Sequence, residues 1–211
     1  MDNSFLRQSA LAQLGLGSRK AAQDGEAGVT MTELPFRAIV NLRGKAEDKA
    51  FMTGTKTALG SALPKTPNSA LPGEGLTVIW LSPEEWWIVF ESRETAAERA
   101  LADGLRVTLE GIHAAVVEVG ESRSCIRVTG PRARALLSKG CPVDLHASVF
   151  GGPGHTAQTL LAKAPVLLHH LADDDDGHPV FEIYVLRSFA EYLWLWLADA
   201  AGEFGLAVKT A

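Results

Sequence analysis

A chain of 211 residues, 46% of them hydrophobic, carries enough apolar material to bury a substantial core, as one large domain or two smaller halves, which excludes wholesale disorder. Its formal net charge of −5, with no dense block of lysine or arginine, argues against nucleic acid or an anionic membrane as the main partner. Two cysteines, Cys125 and Cys141, in a chain without a basic lead and long apolar run, read as reduced packing residues of a cytoplasmic protein.

Residues 1–35, rich in Gly, Ala and Gln, read as an N-terminal arm, extended on a partner or mobile, with a short helix over Phe5 to Leu14. Gly15-Leu16-Gly17-Ser18-Arg19-Lys20 has the composition of a phosphate loop, but no strand precedes it and its spacing fits neither nucleotide motif.

From Phe36 to Arg43 the apolar residues alternate, predicting a strand, and Lys45 to Gly60 reads as a helix followed by a loop over Pro64 to Gly73. Gly75 to Leu81 is apolar on nearly both faces and therefore predicts a central strand. Ser82-Pro83-Glu84-Glu85 has the form of a capping box, a tight helical turn that returns the chain as a strand over Trp86 to Phe90. Thr95-Ala96-Ala97-Glu98 is a second such box, opening a helix with Ala97, Leu101 and Leu105 on its buried stripe, and Ile112 to Val119 closes the series as a strand. The order strand, helix, strand, strand, helix, strand is that of a ferredoxin-like unit.

The second half repeats it. Ser124 to Thr129 alternates, with Ile126 and Val128 on one side and Cys125, Arg127 and Thr129 on the other. Pro131 suits the first position of a helix carrying Ala133, Leu136 and Leu137, which Gly140 closes in a left-handed conformation and Pro142 cannot continue. Extended segments over Thr156 to Leu161, Pro165 to Leu171 and Val180 to Leu186 follow, then a helix over Ser188 to Gly202 with Ser188 and Glu191 as its capping box, and a last strand from Gly205 to Val208. The expectation is α+β, two ferredoxin-like βαββαβ units packed as one compact body: arm 1–35, first half 36–120, second half 121–211.

No constellation for chemistry emerges, and no residue is assigned a catalytic, cofactor-binding or metal role. His169 and His170 are strand neighbours that point to opposite faces, and His146 and His155 flank a glycine-rich loop without ligand spacing. A calcium loop opening at Asp173 fails at Gly177 and Tyr184, so Asp173 to Gly177 reads as a solvated hairpin tip. Glu84 and Glu85 are explained by the positive end of a helix. Aromatic surplus is the stronger signal. The last helix places Phe189, Leu193, Trp196 and Ala200 on one stripe with Tyr192, Leu195 and Leu197 around it, apolar surface suited to a protein partner. Trp80, Trp86 and Trp87 pose the same question, since Trp86 and Trp87 face opposite ways; either both sheet faces are covered within the chain or one tryptophan anchors an interface.

Trp80-Leu81-Ser82-Pro83-Glu84-Glu85-Trp86, the run from Val128-Thr129-Gly130-Pro131 through Lys139-Gly140-Cys141-Pro142-Val143-Asp144-Leu145, and the helix from Arg187-Ser188-Phe189-Ala190 to Trp196 together resemble the gamma subunit family of heterotetrameric sarcosine oxidase. The likeness runs from about Phe36 to Val208, and its strand, Gly-Pro and Ala/Leu helix are shared with folate-binding aminomethyltransferase domains. The resemblance implies a structural, non-catalytic subunit with alpha, beta and delta partners. That complex would oxidise sarcosine to glycine with oxygen, forming hydrogen peroxide and 5,10-methylenetetrahydrofolate. It further implies FAD and covalent FMN on beta, NAD and a folate-binding domain on alpha and zinc on delta, with none on this chain. The alternative from another class is a freestanding folate-binding or one-carbon transfer protein.

Overall fold

Eleven strands and four α-helices are built from the described residues of the computed structural model, which are 7–16, 27–90 and 95–210. The chain runs β1 (Val29–Leu34), β2 (Ile39–Gly44), α1 (Lys49–Leu59), β3 (Ala70–Pro72), β4 (Leu76–Ser82), β5 (Glu85–Phe90), α2 (Thr95–Thr108) and β6 (Ala114–Glu118). It continues with β7 (Arg123–Thr129), α3 (Ala133–Ser138), β8 (Thr156–Leu161), β9 (Ala164–His170), β10 (Val180–Leu186), α4 (Ala190–Ala200) and β11 (Leu206–Thr210).

The first sheet has the order β3-β4-β5-β2-β6 with every pair antiparallel, which is the ferredoxin-like arrangement with the short β3 added at one edge. The second has the order β11-β1-β7-β10-β9-β8. It follows the same plan with one insertion. β1 lies between β7 and β11, antiparallel to the first and parallel to the second. The segment expected as an arm is therefore partly a structural strand. Residues 7–16 also lie on the body, with Leu11 fully buried in the second half's core and Ser9 donating to Glu33 at 2.6 Å. A helix over Phe5 to Leu14 is reduced to one turn at Ala12–Leu14, its first residues lying outside the described residues together with most of the Gly15 to Lys20 motif.

Each strand sends alternate side chains to opposite faces, and here both faces are covered. Phe51, Ala102 and Leu105 of α1 and α2 pack on Val40, Leu42, Val78, Trp86 and Ile88 at the outer face of the first sheet. Leu136 and Leu137 of α3 and Leu193, Trp194 and Leu197 of α4 pack on Met31, Ile126, Val128, Phe181 and Ile183 at the outer face of the second. Between the sheets a third cluster joins Ile39, Ile79, Trp87 and Val89 to Leu34, Cys125, Leu167 and Tyr184. The layers are thus helix, sheet, sheet, helix.

Several expected elements resolve differently. Ser82 to Glu85 is no helical turn: Pro83 and Glu84 form the tight turn joining β4 to β5, and Glu85 already belongs to β5. Proline suits both motifs, and the strand pairing on either side decides. α1 begins later than expected because Asp48 caps it, accepting from the Ala50 N–H at 2.8 Å. α4 is entered through a short helical turn at Arg187–Phe189 without a side-chain cap, and Glu191 accepts from Gln13 Nε2 instead. Gly140 is not left-handed; a Cβ there would stand 2.5 Å from Cη2 of Trp196, so close packing is what requires the glycine. Gly130 is the residue with the special backbone, at φ 116, where β7 turns into α3.

Candidate functional site between the two sheets

The inner face of the second sheet carries charge. Glu182 on the central strand β10 stands directly opposite Arg127 on β7 and His169 on β9, so the three residues form one cross-strand row. Arg127 Nη2 donates to Glu182 Oε1 at 2.7 Å, and Arg37, from the segment before β2, donates to the same oxygen. Tyr184, two residues along β10 and so on the same face, donates its hydroxyl to Glu182 Oε2. Arg37 also reaches the Phe90 carbonyl at 2.9 Å, which ties this charged group to the other sheet.

Burial works against the Glu182 charge, but Arg37, the Tyr184 hydroxyl and Arg127 outweigh it and hold the carboxyl below its ordinary range. Burial likewise opposes the Arg37 charge, and Glu182 reverses the balance, leaving it raised. For His169 the opposing pull of Glu182 does not suffice: burial pushes its pKa down to about 4, so the ring is neutral at pH 7. Burial first, then neighbouring Cys125 and Glu182, keeps Tyr184 protonated far above its ordinary value, and Cys125 is held as a thiol mainly by burial.

A cleft of about 290 Å³ opens over this row, closed on its far side by Thr77, Val89 and Phe90 of the other sheet. A second cleft of about 330 Å³ lies on the other side of Tyr184, between Arg123, Trp87, Asn41, Glu85 and Gln158. There the Arg123 guanidinium sits 5.2 Å from the Trp87 ring centre, and burial lowers its pKa. Asn41 is engaged with Glu85 at 2.8 Å, and Gln158 with the Leu81 carbonyl at 2.6 Å.

Of the residues singled out from sequence, His169 lies in this row and Glu85 lines the second cleft, and the others fall elsewhere. His169 and His170 do face opposite ways: His170 is stacked on Phe181 at 4.8 Å in the helix-side core, 3.4 Å from Arg134. His146 and His155 are used in their own loop, on Ser148 and on the Gly152 carbonyl. Asp174 shapes the tip between β9 and β10, accepting from Asp176 N at 3.1 Å and His178 N at 2.8 Å. Asp174, Asp176 and His178 hold potential ligand atoms within 4.8 Å of one another, and those backbone bonds account for the arrangement. Glu85 faces the inter-sheet region and Glu84 is in the turn, so neither sits at a helix end. Trp86, Trp87 and Trp194 are buried within the chain, whereas Trp80 on β4 is only partly so; this settles Trp86 and Trp87 as core and corrects the reading of the last helix, where Trp194 rather than Trp196 is fully enclosed.

Sequence reasoning missed the row Arg127, Glu182, His169 and its partner Arg37. The signal was present in Val180-Phe181-Glu182-Ile183-Tyr184-Val185-Leu186: with Phe181, Ile183 and Val185 on one face and Val180, Tyr184 and Leu186 around Glu182 on the other, the strand has no solvated side for a carboxylate. A buried acid of that kind requires cations nearby, and Arg127 already stood on a matching strand.

Two ferredoxin-like units stacked sheet to sheet, with helices on the outer faces, define the class of fold. A solved glycine cleavage system aminomethyltransferase T from Bartonella henselae shares the fold, with a TM-score of 0.58 and 17% identity over 88% of this chain and 48% of that one. Within this class the likeness becomes specific. The model of the sarcosine oxidase, gamma subunit family matches residues 43–203. Sarcosine oxidase subunit gamma of Corynebacterium sp. (strain U-96) is 31% identical over 98% of this chain and 96% of its own length, and that of Arthrobacter sp. is 31% identical over 97% and 94%. A chain in the solved heterotetrameric sarcosine oxidase of Corynebacterium sp. U-96 superposes with a TM-score of 0.80 and 30% identity over 94% of this chain and 96% of that one. The chain belongs to the sarcosine oxidase gamma subunit family.

Proposed function

We propose that this chain is a non-catalytic structural subunit of a heterotetrameric sarcosine oxidase, assembling with alpha, beta and delta subunits. The observation that carries the reading is the near full-length match, in sequence and in fold, to a chain of a heterotetrameric sarcosine oxidase. The complex demethylates sarcosine to glycine, with hydrogen peroxide and 5,10-methylenetetrahydrofolate as the other products. FAD, FMN, NAD and zinc reside on the other subunits, and the whole works in the cytoplasm. No helix among the described residues is long and apolar enough to cross a membrane.

Most of the chain's apolar surface is spent on its own two cores and the seam, so docking falls to what is left outside. Tyr192 and Leu195, one turn apart on α4, are 39% and 44% exposed, and Leu160 on β8 is 50% exposed. These residues are the surface offered to a neighbouring subunit. Co-expression of the four subunits, followed by mass measurement of the intact complex, tests the assignment. One copy of each subunit is expected. Recovery of this chain alone, as a monomer binding tetrahydrofolate one to one, would refute it in favour of a freestanding folate protein.

A further inference from the structure

The inner face of the second sheet runs on past the point where the first sheet stops covering it. Cys125 on β7, Tyr184 on β10 and Leu167 on β9 are buried in the seam. Two residues along each strand, and therefore on the same face, stand Arg123, Leu186 and Pro165, with Leu160 of β8 opposite Pro165. Leu186 and Leu160 are 37% and 50% exposed, and Pro165 is exposed as well. The second cleft opens beside this uncovered row.

We propose that this open end of the seam docks an acidic loop of a neighbouring subunit, whose carboxylate meets Arg123 and whose apolar flank covers Leu186, Pro165 and Leu160. The inference rests on the reading of the chain as a subunit of a heterotetramer, and adds where and by what chemistry one neighbour is held.

Arg123 supplies the charge complementarity. Its guanidinium lies against the Trp87 ring and makes no hydrogen bond or ion pair among the described residues. Its Nε is enclosed, whereas both Nη groups keep accessible surface, and the residue lines the cleft. Burial lowers its pKa and no carboxylate offsets that, in contrast to Arg37 beside Glu182. Glu85, which also lines the cleft, is engaged with Asn41 at 2.8 Å. A half-buried guanidinium with both Nη groups unused is suited to a carboxylate arriving from outside.

The surroundings select a protein loop over a free anion. A small ion would leave the Leu186, Pro165 and Leu160 row in water, and a loop covers the row and the cation together. Arginine and tryptophan are residues on which binding energy at interfaces concentrates. The cleft, about 330 Å³, admits a side chain or two from the tip of a loop but not a helix, which is about 10 Å across. Each subunit is present once in the proposed complex, so the loop belongs to alpha, beta or delta and not to a second copy of this chain.

A photo-cross-linker and three charge variants test the site in the co-expressed four-subunit complex. With p-benzoylphenylalanine placed at position 160, irradiation should attach a peptide of another subunit that contains Asp or Glu. In native mass measurements over a dilution series, Arg123→Met should dissociate at a concentration about tenfold above wild type, Arg123→Glu higher still, and Arg123→Lys between wild type and Arg123→Met. Leu160→Asp should also weaken the complex, and its exposed position keeps the fold out of that result. The free chain should melt at the same temperature with Arg123→Met as without it, because no partner is lost. A lowered melting temperature would make Arg123 structural and overturn the proposal. Dissociation at the wild-type concentration for Arg123→Glu or for Leu160→Asp overturns it while leaving the subunit reading intact, as does a cross-link only to a second copy of this chain or to no subunit. Failure of the wild-type chain to assemble at all refutes both.

Discussion

Trp87 of β5 and Tyr184 of β10 meet edge to face, ring centres 6.0 Å apart and planes at 74°, and this contact joins the two sheets at the middle of the molecule. Such pairs contribute about 0.5–1.5 kcal/mol beyond the area they bury. A double-mutant cycle of Trp87→Leu and Tyr184→Leu, followed by urea unfolding, should therefore give a coupling energy near 1 kcal/mol. The cycle isolates the rings, since the Tyr184 hydroxyl bond to Glu182 is lost in both tyrosine-free backgrounds. Zero coupling would mean that the sheets are held by other contacts.

Stability should fall in mild acid, through His169. Its folded pKa of about 4 lies below the unfolded value, so the unfolded chain takes up a proton first and stability declines as pH drops from about 6.5 to 4. The full effect is about 3 kcal/mol for this shift. Glu182, also depressed, adds a loss in the same direction at lower pH, as its carboxylate protonates through its folded value. Glu98 acts in the opposite sense, since burial raises it and its ionisation costs stability as pH rises. Comparing wild type with His169→Asn removes the terms common to both. The difference in unfolding free energy should shrink toward pH 4; a difference constant with pH contradicts the assignment.

Glu98 illustrates a carboxylate that serves the backbone. Its Oε1 accepts from the Ile39 N–H at 3.0 Å and the Gly120 N–H at 3.4 Å, linking α2 to the start of β2 and the turn before β7. Glu98→Ala leaves both donors buried without partners and should cost about 2–4 kcal/mol, whereas Glu98→Gln keeps an acceptor and should cost about 1 kcal/mol or less. Equal losses for the two would show that charge, not acceptance, is what matters.

Gly140 is fixed by the ring of Trp196. A methyl group placed there meets that ring at 2.5 Å and the Ala162 amide nitrogen at 3.0 Å. Gly140→Ala should lower stability by about 1–3 kcal/mol and shift tryptophan emission as the indole is displaced, and Trp196→Leu should rescue most of the loss. Failure of the rescue would move the cause to the backbone.

How much of this was readable in the residues follows from what each signal measures. Thr156 to Leu161 and Val180 to Leu186 have the bounds that their apolar patterns predicted, because flanking turns and a buried strand leave little freedom in where pairing stops. The same patterns put Arg127 beside Cys125 on the second face of β7 without saying that the face is covered. That depends on another sheet, far along the chain. Ser82 to Glu85 failed for a local reason, since proline followed by acids starts a helix or turns a hairpin equally well. β1 was lost in a polar stretch, its short alternation of Val29, Met31 and threonines meaning little until two partners flank it. The exception to local rules, a charged row inside a double sheet, lies at the candidate site between the sheets.

The seat of β1 has a consequence for biosynthesis. Val29 pairs with Leu206 and Leu34 with Cys125, so one of the earliest strands made has its last neighbour translated only after every other strand of both sheets. Until then the nascent second half presents one side of β1 as a bare edge, or keeps β7 waiting for it. Closing that edge with the chain's own β11 is therefore the last pairing the sheet makes, and it is what denies the edge to a second copy.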